Sequence, residues 1–335
     1  MNQTKGAERP MKAFLALLSL LILFGLAACQ SKTDNSRLVP IKLKNKYGYV
    51  NATGTVVVEP EYTDATEFYD GLAAVREKYL YGYIDSTGRM VLAAKLGSTR
   101  RFSEGHAAFT SGLSYGFIDR AGDISVKTEY SAAEDFSNGL AAVKYQDKWG
   151  YVDTIGQIKI SPKYKYAKSF KYGLAWVRPD SEYICITKKG EQKGRLKVQD
   201  ASEFSEKLSA VKLTDKWGYI DTSLKLVVRP RFDYGRAFSE GMAAVRVGAK
   251  WGYVSTSDCL AIAPSFDDAL EFSEERAAVR VGAKWGYIDR TGKLVIQPRF
   301  DYAGKFIKGI ASIRDGKLWS GVTKSGTLIW EPKEE

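Results

Sequence analysis

Two stretches of ten residues decide the fold: RVGAKWGYVS at 246–255 and RVGAKWGYID at 280–289. They begin 34 residues apart and differ only at their last two positions. A near-identical pair at a fixed interval predicts a repeat, and a repeat must be recognised before single residues are given roles. The chain is therefore compared with itself in steps of 34 residues, starting from Trp285.

The interval holds along the chain without any insertion or deletion. One column contains only aromatic residues: Tyr47, Tyr81, Tyr115, Trp149, Tyr183, Trp217, Trp251, Trp285 and Trp319. The position after it is glycine in seven of nine units, with Ile184 and Ser320 as the exceptions. Another column is phenylalanine throughout: Phe68, Phe102, Phe136, Phe170, Phe204, Phe238, Phe272 and Phe306. Chance does not keep such a register over eight steps.

Each unit predicts β-strands joined by tight turns. Apolar and polar residues alternate before and after the turn formed by Asp289 and Gly292, and this alternation is the period of a strand. The Asp side chain bonds its own backbone there, and the glycine takes a positive φ at little cost. We expect aromatic rings of one unit to lie over the alanines and the glycine of another. A 34-residue unit has too little core to be stable alone, so its neighbours must cover it.

The pattern KWGYID-x-x-G together with F-S-E-G-x-A-A-V resembles the WG-repeat (KWG) family of bacterial proteins. The resemblance covers residues 38–335 as eight full units and one partial unit, 310–335, and it implies an all-β repeat protein of unspecified activity. The partial unit lacks its second half, which the N-terminal end does not supply. We therefore expect 34-residue β-meander or hairpin repeats in an open twisted array, with a closed β-propeller of about eight blades as the alternative.

The first 28 residues predict a lipoprotein signal peptide. A basic start, a short apolar run and small residues precede Cys29. The letters LAAC resemble a bacterial lipobox, which implies cleavage before Cys29 and lipid attachment to it. Residues 29–37 are polar and predict a tether, and Gln30 in place of Asp implies the outer membrane. The sequence leaves open whether the start is Met1 or Met11, and whether the domain faces the periplasm or the cell exterior.

Composition and motifs point away from catalysis. Removal of the signal peptide changes the formal net charge from +11 to +9, so the mature chain stays basic. The single histidine, His106, is interpreted as a substitution at a strand start. Cys185 and Cys259 fall at different offsets in units that are not adjacent, so we expect no disulfide. We predict no catalytic residue, no metal site and no cofactor, because neither a Cys/His cluster nor a phosphate-binding loop is present.

One column carries a candidate binding function. Eight of its nine positions are basic, and these are Lys42, Arg76, Lys144, Arg178, Lys212, Arg246, Arg280 and Arg314. Stacked in register, they predict a positive ladder for an anionic polymer, and the six from Lys144 onward are the candidate binding residues. The alternative is a solvated strand face paired with the glutamates of the SEG turns, such as Glu206 and Glu240, and we favour it. Export across the membrane argues against nucleic acid as the partner.

The unit 174–207 departs from the pattern. Trp176 replaces a small residue, Ile184 replaces the glycine and Cys185 replaces a tyrosine. Sequence drift or a specialised binding or hinge unit explains these changes. The chain as a whole predicts a lipid-anchored, non-catalytic repeat scaffold of the bacterial envelope that binds a partner protein or an envelope polymer. A glycan- or peptidoglycan-binding module is the alternative, followed by an envelope enzyme, and the sequence names no partner.

Overall fold

The computed structural model describes residues 38–331, and within that range it contains 34 strands and no helix. Each 34-residue unit forms a meander of three strands followed by a short fourth strand. In the first unit these are Val39–Leu43 (β1), Lys46–Val50 (β2), Val56–Tyr62 (β3) and Asp64–Ala65 (β4). The fourth strand pairs with the meander of the next unit, so each sheet takes one strand from one unit and three from the next.

Seven four-stranded antiparallel sheets, or blades, arise in this way. Blades one to three are β4 with Leu72–Glu77 (β5), Leu80–Asp85 (β6) and Met90–Leu96 (β7); Ser98–Thr99 (β8), His106–Ser111 (β9), Ser114–Asp119 (β10) and Ile124–Tyr130 (β11); and Ala132–Ala133 (β12), Ala141–Tyr145 (β13), Lys148–Val152 (β14) and Ile158–Tyr164 (β15). Blades four and five are Tyr166–Ala167 (β16), Leu174–Arg178 (β17), Tyr183–Thr187 (β18) and Gln192–Val198 (β19); and Asp200–Ala201 (β20), Leu208–Leu213 (β21), Lys216–Asp221 (β22) and Leu226–Phe232 (β23). Blades six and seven are Tyr234–Ser239 (β24), Met242–Val247 (β25), Lys250–Ser255 (β26) and Leu260–Phe266 (β27); and Asp268–Ala269 (β28), Ala277–Val281 (β29), Lys284–Ile288 (β30) and Leu294–Phe300 (β31).

An eighth, six-stranded sheet joins the two ends of the chain. Its C-terminal half is Tyr302–Ile307 (β32), Ile310–Asp315 (β33) and Leu318–Thr323 (β34), and its strand order is β3-β2-β1-β34-β33-β32. The two halves pair antiparallel where Lys42 of β1 faces Trp319 of β34. The eight sheets therefore form a closed β-propeller.

The closed propeller is the architecture that the sequence offered as the alternative, and the expected open array is wrong. The ends need not complete one four-stranded sheet, because each end supplies three strands of its own. Val39, Ile41 and Val50 of the first unit bury their side chains in a cluster with Ile310 of the ninth. An open array would leave these apolar faces in water, so their burial favours closure.

The core lies between successive units, as the repeat predicts. In one representative cluster, Tyr83 and Ala74 of one blade contact Phe102 and Ala107 of the next. The rings of Tyr83 and Phe102 meet edge to face with centroids 4.7 Å apart, and the Tyr83 hydroxyl donates to the Arg100 carbonyl. Each fully buried aromatic side chain contributes roughly 1.5–3 kcal/mol of transfer free energy. Aromatic rings thus do lie over the alanines of a neighbouring unit.

The glycine repeats for a different reason from the expected one, which was to leave room for an aromatic ring. A Cβ atom on Gly252 would lie 2.4 Å from the carbonyl oxygen of Ile262 and 2.7 Å from the nitrogen of Pro264. The register shifts at this point, since Trp251 faces Phe266 while Tyr253 faces Ile262, so the outer strand bulges over the glycine. The glycine makes room for the backbone of the outer strand, not for an aromatic ring.

The inner edge of each blade is its short first strand. Residues that follow the first strands of successive blades contact one another, as where Arg100 meets Glu134 at 2.8 Å and Asp135 at 2.8 Å. The last strand of a blade, such as β7, has one buried residue, Leu92, among half-buried and exposed ones, as an outer edge does. The first strands therefore face the propeller axis.

Candidate functional site at the closing junction

The basic column lies at one end of the blades. Arg246 is opposite Trp251, next to the hairpin that joins the second and third strands of its blade. We call the end that carries these hairpins the hairpin rim. Because the propeller closes, the column forms a circle on this rim and not a linear ladder. Its described members include all six candidate residues, Lys144, Arg178, Lys212, Arg246, Arg280 and Arg314.

Four of the eight basic side chains, those of Lys42, Arg76, Arg178 and Arg314, lie over the ring of the aromatic residue of their own unit. The Arg76 guanidinium is 5.5 Å from the centre of the Tyr81 ring, and Arg314 is 5.8 Å from that of Trp319. The Lys42 ammonium is 4.8 Å from the Tyr47 ring. Such cation–π contacts contribute about 0.5–1 kcal/mol at exposed sites. The repeated basic residue is thus partly explained by the repeated aromatic one.

Carboxylates on the hairpin rim offset much of this positive charge. Lys144 pairs with Asp147 at 3.0 Å and Lys212 with Asp215 at 3.8 Å. Asp267 accepts hydrogen bonds from Lys250 and from the Gly282 amide. These bonds, with the charges of Lys250 and Arg280 nearby, lower the pKa of the Asp267 carboxyl. Most of the circle is therefore a balanced ionic surface.

The glutamates of the SEG turns are not the partners of this column, which corrects the pairing considered from the sequence. Glu206 accepts hydrogen bonds from the backbone amides of Glu240 and Gly241 in the following turn, at 2.6 and 2.9 Å. The serine of the same motif also reaches the next unit, since the Ser239 hydroxyl donates to the Phe272 carbonyl. These turns lie at the opposite end of the strands and connect neighbouring blades.

The closing junction differs from the rest of the rim. Asn45 and Lys317 occupy the positions that Asp147 and Asp215 hold in other units. The result is a groove of ≈ 540 Å³ lined by Lys42, Lys44, Asn45, Arg314, Gly316, Lys317 and Trp319. Four of these seven residues are cationic and none is acidic. We call this site the basic groove.

One carboxylate lies near the basic groove without lining it. Asp301 accepts hydrogen bonds from the Lys284 ammonium and the Gly316 amide, and these bonds and the Arg314 charge lower the pKa of the Asp301 carboxyl. Asp301 therefore compensates Arg314 in part. At the equivalent of Asp147, Asn45 follows Lys42 and Lys317 follows Arg314. The groove therefore keeps an excess of positive charge, which attracts anions.

A second, larger cavity lies on the inner side of the same junction. Its volume is ≈ 750 Å³, and residues from blades one, two, seven and eight line it, among them Glu67, Arg101, Glu271 and Lys305. Four blades reach one cavity only near the axis. Trp319 lines both this cavity and the basic groove. We call this site the closing cavity.

Sequence reasoning missed a mostly charged column at or just after the inner strands. It lies immediately before the invariant phenylalanine and contains Glu67, Arg101, Asp135, Ser169, Glu203, Ala237, Glu271 and Lys305, six of which are charged. Lys305 pairs with Glu271 at 3.2 Å and Arg101 with Asp135 at 2.7 Å. The signal was a polar column beside an invariant one, but its sign changes from unit to unit, so no ladder was apparent.

The remaining candidate residues have structural roles or lie outside the described range. The Nδ1 atom of His106 is 3.0 Å from the carbonyl oxygen of Glu104, and its ring contacts Phe136. Cys185 is buried and Cys259 exposed, both as free thiols. Cys29, with the predicted signal peptide and tether, lies outside the described residues. Within residues 38–331, no three Asp, Glu, His or Cys side chains are grouped to hold a metal ion, and no helix is long and apolar enough to span a membrane.

In the unit 174–207, a large and a small side chain have exchanged places on neighbouring strands. Trp176 lies opposite Cys185, so the large side chain has changed strands with the small one. The Trp176 indole N–H donates to the Ser209 hydroxyl at 2.9 Å, and that hydroxyl donates to the Ser202 carbonyl at 2.9 Å. In other units a tyrosine hydroxyl donates to the carbonyl 17 residues further on, as Tyr219 does to Arg236. Cys185 stands at the tyrosine position of this unit, and the residue 17 positions after it is Ser202. The unit keeps its core, which supports the interpretation as sequence drift.

Comparison with known proteins agrees with the repeat and the fold. The family model described as "WG containing repeat" matches at seven places, 47–81, 81–112, 115–149, 149–183, 217–251, 251–285 and 285–319, and skips the exchanged unit. The structure of a eukaryotic initiation factor is 11% identical with a TM-score of 0.63 and covers 87% of this chain and 94% of its own.

Two other solved structures are more distant, and their similarity carries no functional information. AztD from Citrobacter koseri is 12% identical with a TM-score of 0.44, over 78% of this chain and 96% of its own. Hsv2p of Kluyveromyces lactis is 12% identical with a TM-score of 0.43, over 68% and 92%. No curated protein matches the sequence significantly. Because the family model covers more than half of its residues, the chain belongs to the WG containing repeat family.

Proposed function

We propose that this protein is a lipid-anchored, non-catalytic binding scaffold of the bacterial cell envelope. Its partners bind at the closing junction. Its ligand is an anionic polymer, such as an acidic glycan or the acidic face of a partner protein, held in the basic groove. The observation that carries the proposal is the local excess of positive charge in this groove, whose lining has four cationic residues and no acidic one. Proteins use such concentrated charge to attract and orient oppositely charged partners.

The repeat itself supports binding over catalysis. The aspartates in the turns between the third and fourth strands of the blades could have served as catalytic acids or bases. The Asp85 carboxylate instead accepts hydrogen bonds from the backbone amides of Thr87 and Arg89, which close its own turn. These bonds and that from the Thr87 hydroxyl lower the pKa of Asp85, so the carboxyl stays ionised and is unsuited to general acid catalysis near neutral pH.

The anchor and the location rest on the sequence alone. The apolar run, the letters LAAC and Cys29 support lipid attachment, and Gln30 supports the outer membrane. The nine residues from Cys29 to Arg37 can span up to about 30 Å if extended, so the propeller would remain close to the membrane surface. Polymers and proteins of the envelope are then the partners within reach.

Matched charge reversals test the basic groove. The variant Lys42→Glu with Lys317→Glu removes two unbalanced cations, while Lys144→Glu with Lys212→Glu makes the same change in net charge at residues paired with Asp147 and Asp215. Heparin serves as the acidic glycan probe, and binding is measured over a range of salt concentrations. We expect the groove variant to weaken binding about tenfold or more and to reduce its salt dependence, because local charge dominates at short screening lengths.

The control pair decides the interpretation. Equal losses in the two double variants would show that net charge, and not the groove, governs binding. Unchanged binding in both would reject the anionic polymer as ligand. Melting temperatures of all variants are compared with wild type, so that a loss of fold is not counted as a loss of affinity.

A further inference from the structure

Within the described residues, the first meander, β1–β3, has no inner strand before it, whereas the seven meanders that follow it each have one. In blade one, the short strand pairs with the second strand through Asp64 with Arg76 and Ala65 with Val75. At the equivalent place beside β1, the described part of the chain supplies no such strand. On this side β1 pairs with β34, through Lys42 and Trp319, while its other side pairs with β2.

The closing cavity lies beside β1, and Pro40 is part of its lining. One wall is the segment that follows the inner strand of blade one, with Glu67 and Tyr69, and the facing wall is β32, with Tyr302 and Lys305. The Ser312 hydroxyl donates to the Glu67 carboxylate at 2.8 Å and connects the two walls. The volume of ≈ 750 Å³ is within the range of about 300–1,000 Å³ that is usual for small-ligand sites.

Aromatic rings give the cavity flat apolar surfaces. Tyr302 and Trp319 lie with ring centroids 5.3 Å apart and planes inclined by 49°. Tyr69 carries the Arg101 guanidinium 4.9 Å from its ring centre. Tyr69 and Tyr302 remain 37% and 42% exposed, so their rings are accessible to a ligand. Such residues offer an apolar face together with a polar group that can hydrogen-bond.

Formal charge in the cavity is balanced, unlike that in the basic groove. Glu67 and Glu271 face Arg101 and Lys305, and the pair of Glu271 with Lys305 is already formed at 3.2 Å. A charged ligand would have to replace these interactions. A purely apolar ligand would strip water from four ionic groups without giving them new partners, which is costly.

A neutral ligand with several hydroxyl groups fits this lining. An ionised carboxylate has about four acceptor sites and an arginine five donors, so each keeps free capacity after one pair has formed. An extended peptide fits less well, because Pro40, at the open edge of β1, has no amide hydrogen to offer to an added strand. We infer that the closing cavity binds a neutral saccharide unit, with its apolar C–H face on Tyr302 and Trp319 and its hydroxyls on Glu67, Glu271, Arg101 and Lys305.

The inference is separate from the anionic ligand of the basic groove. The shared wall, Trp319, places the two sites side by side, so an acidic glycan could occupy both. A neutral saccharide needs only the cavity. Binding of a neutral saccharide should therefore depend little on salt and should survive the Lys42→Glu with Lys317→Glu variant.

Two tyrosines at equivalent positions provide the test. Tyr302 lines the closing cavity. Tyr234 is in the same column and is also 42% exposed, and its ring contacts Trp217 of blade five and Trp251 of blade six. Calorimetry would measure binding of triacetylchitotriose and of maltotriose to wild type, Tyr302→Ala and Tyr234→Ala, with melting temperatures as a check on folding. Trialanine serves as the peptide probe.

We expect at least one trisaccharide to bind wild type and Tyr234→Ala equally, and Tyr302→Ala to bind it about tenfold more weakly or worse. Glu67→Gln, which keeps the shape of the side chain, should also weaken binding. Failure of both trisaccharides to bind folded wild type, equal losses in the two tyrosine variants, or Tyr302-dependent binding of trialanine alone would each overturn the inference. None of these results depends on whether heparin binds the basic groove.

Discussion

The indole N–H of Trp176 donates a hydrogen bond of 2.9 Å to the hydroxyl of Ser209 in the next unit. This bond takes the place of the one that a tyrosine hydroxyl makes in other units. Trp176 is fully buried, and its ring is stacked on that of Phe204 with planes 6° apart, whereas Tyr219 and Phe238 meet edge to face. One large side chain has moved across a strand pair, and a small residue opposite it makes the room. The exchange gives a direct test of how the inter-blade core is packed.

Trp176→Ala should lower the free energy of unfolding by about 3–5 kcal/mol, because it leaves a cavity in the core. Cys185→Tyr alone should cost about 1–3 kcal/mol by overpacking against Trp176. The double variant restores the arrangement of other units, with a tyrosine hydroxyl again near the Ser202 carbonyl, so it should be more stable than the two costs together predict. Chemical denaturation of the four proteins measures this coupling. Additive costs would contradict the proposed exchange.

Gly252→Val should destabilise the propeller by at least the roughly 1–3 kcal/mol typical of overpacking, because its Cβ would clash with the outer-strand backbone. Ile184 is the natural comparison. It faces Lys197 in register, and the extra outer-strand residues lie opposite Cys185 instead, so a branched side chain fits. Ile184→Gly should cost only on the order of 1 kcal/mol, from lost burial and added backbone freedom. Equal melting temperatures of wild type and Gly252→Val would contradict this role of the glycine.

The strands, the turns and the aromatic core could be predicted from the sequence because each is local to one unit or to two neighbours. The Asp-x-x-Gly turns and the rings over alanines follow from residues at fixed offsets. Closure could not be predicted in this way. It depends on contacts between Val39 and Ile310 at opposite ends of the chain, and the repeat pattern is the same for an open and a closed array.

The closing junction was missed for a related reason. The basic column was recognised, but its local neutralisation depends on the position three residues later, where Asp147 and Asp215 stand in two units and Asn45 and Lys317 at the ends. Only closure brings the two ends together and makes Asn45 and Lys317 parts of a single site. The closing cavity also needs closure, because its lining comes from both ends of the described chain.

Acid should weaken the hairpin rim through Asp267. Its folded-state pKa is lowered by hydrogen bonds from Lys250 and the Gly282 amide. A lowered pKa means that the stabilisation is present above the unfolded-state pKa of about 3.9 and is lost as the pH falls through the lower folded-state value. Asp267→Asn should therefore lower the melting temperature at pH 7, and the difference from wild type should shrink below about pH 4. A difference that is constant from pH 7 to pH 2.5 would exclude this carboxylate as the cause.

If Cys29 carries the lipid, as we propose, Cys29→Ser should abolish lipid attachment, since the variant removes the thiol. We expect an unprocessed precursor or a soluble product, with no mature protein in the membrane fraction. Metabolic labelling with an alkyne fatty acid should mark only the wild type, and Cys259→Ser, which removes an exposed thiol of the propeller, is the control. Acylation of the Cys29→Ser variant would show that the lipobox assignment is wrong.

The triple variant Arg246→Glu, Arg280→Glu and Arg314→Glu separates a binding circle from the basic groove. The charges of these arginines contribute to the lowered pKa values of Asp233, Asp267 and Asp301, so each new glutamate would face an existing carboxylate. We expect the melting temperature to fall, because like charges repel at short range. Of the three arginines, only Arg314 lines the basic groove. Arg314→Glu alone should therefore account for most of the loss of heparin affinity in the triple variant. Titrations of the single and triple variants at matched salt measure this share. A loss that grows in equal steps with each arginine, in proteins that remain folded, would instead favour a polymer that follows the whole rim.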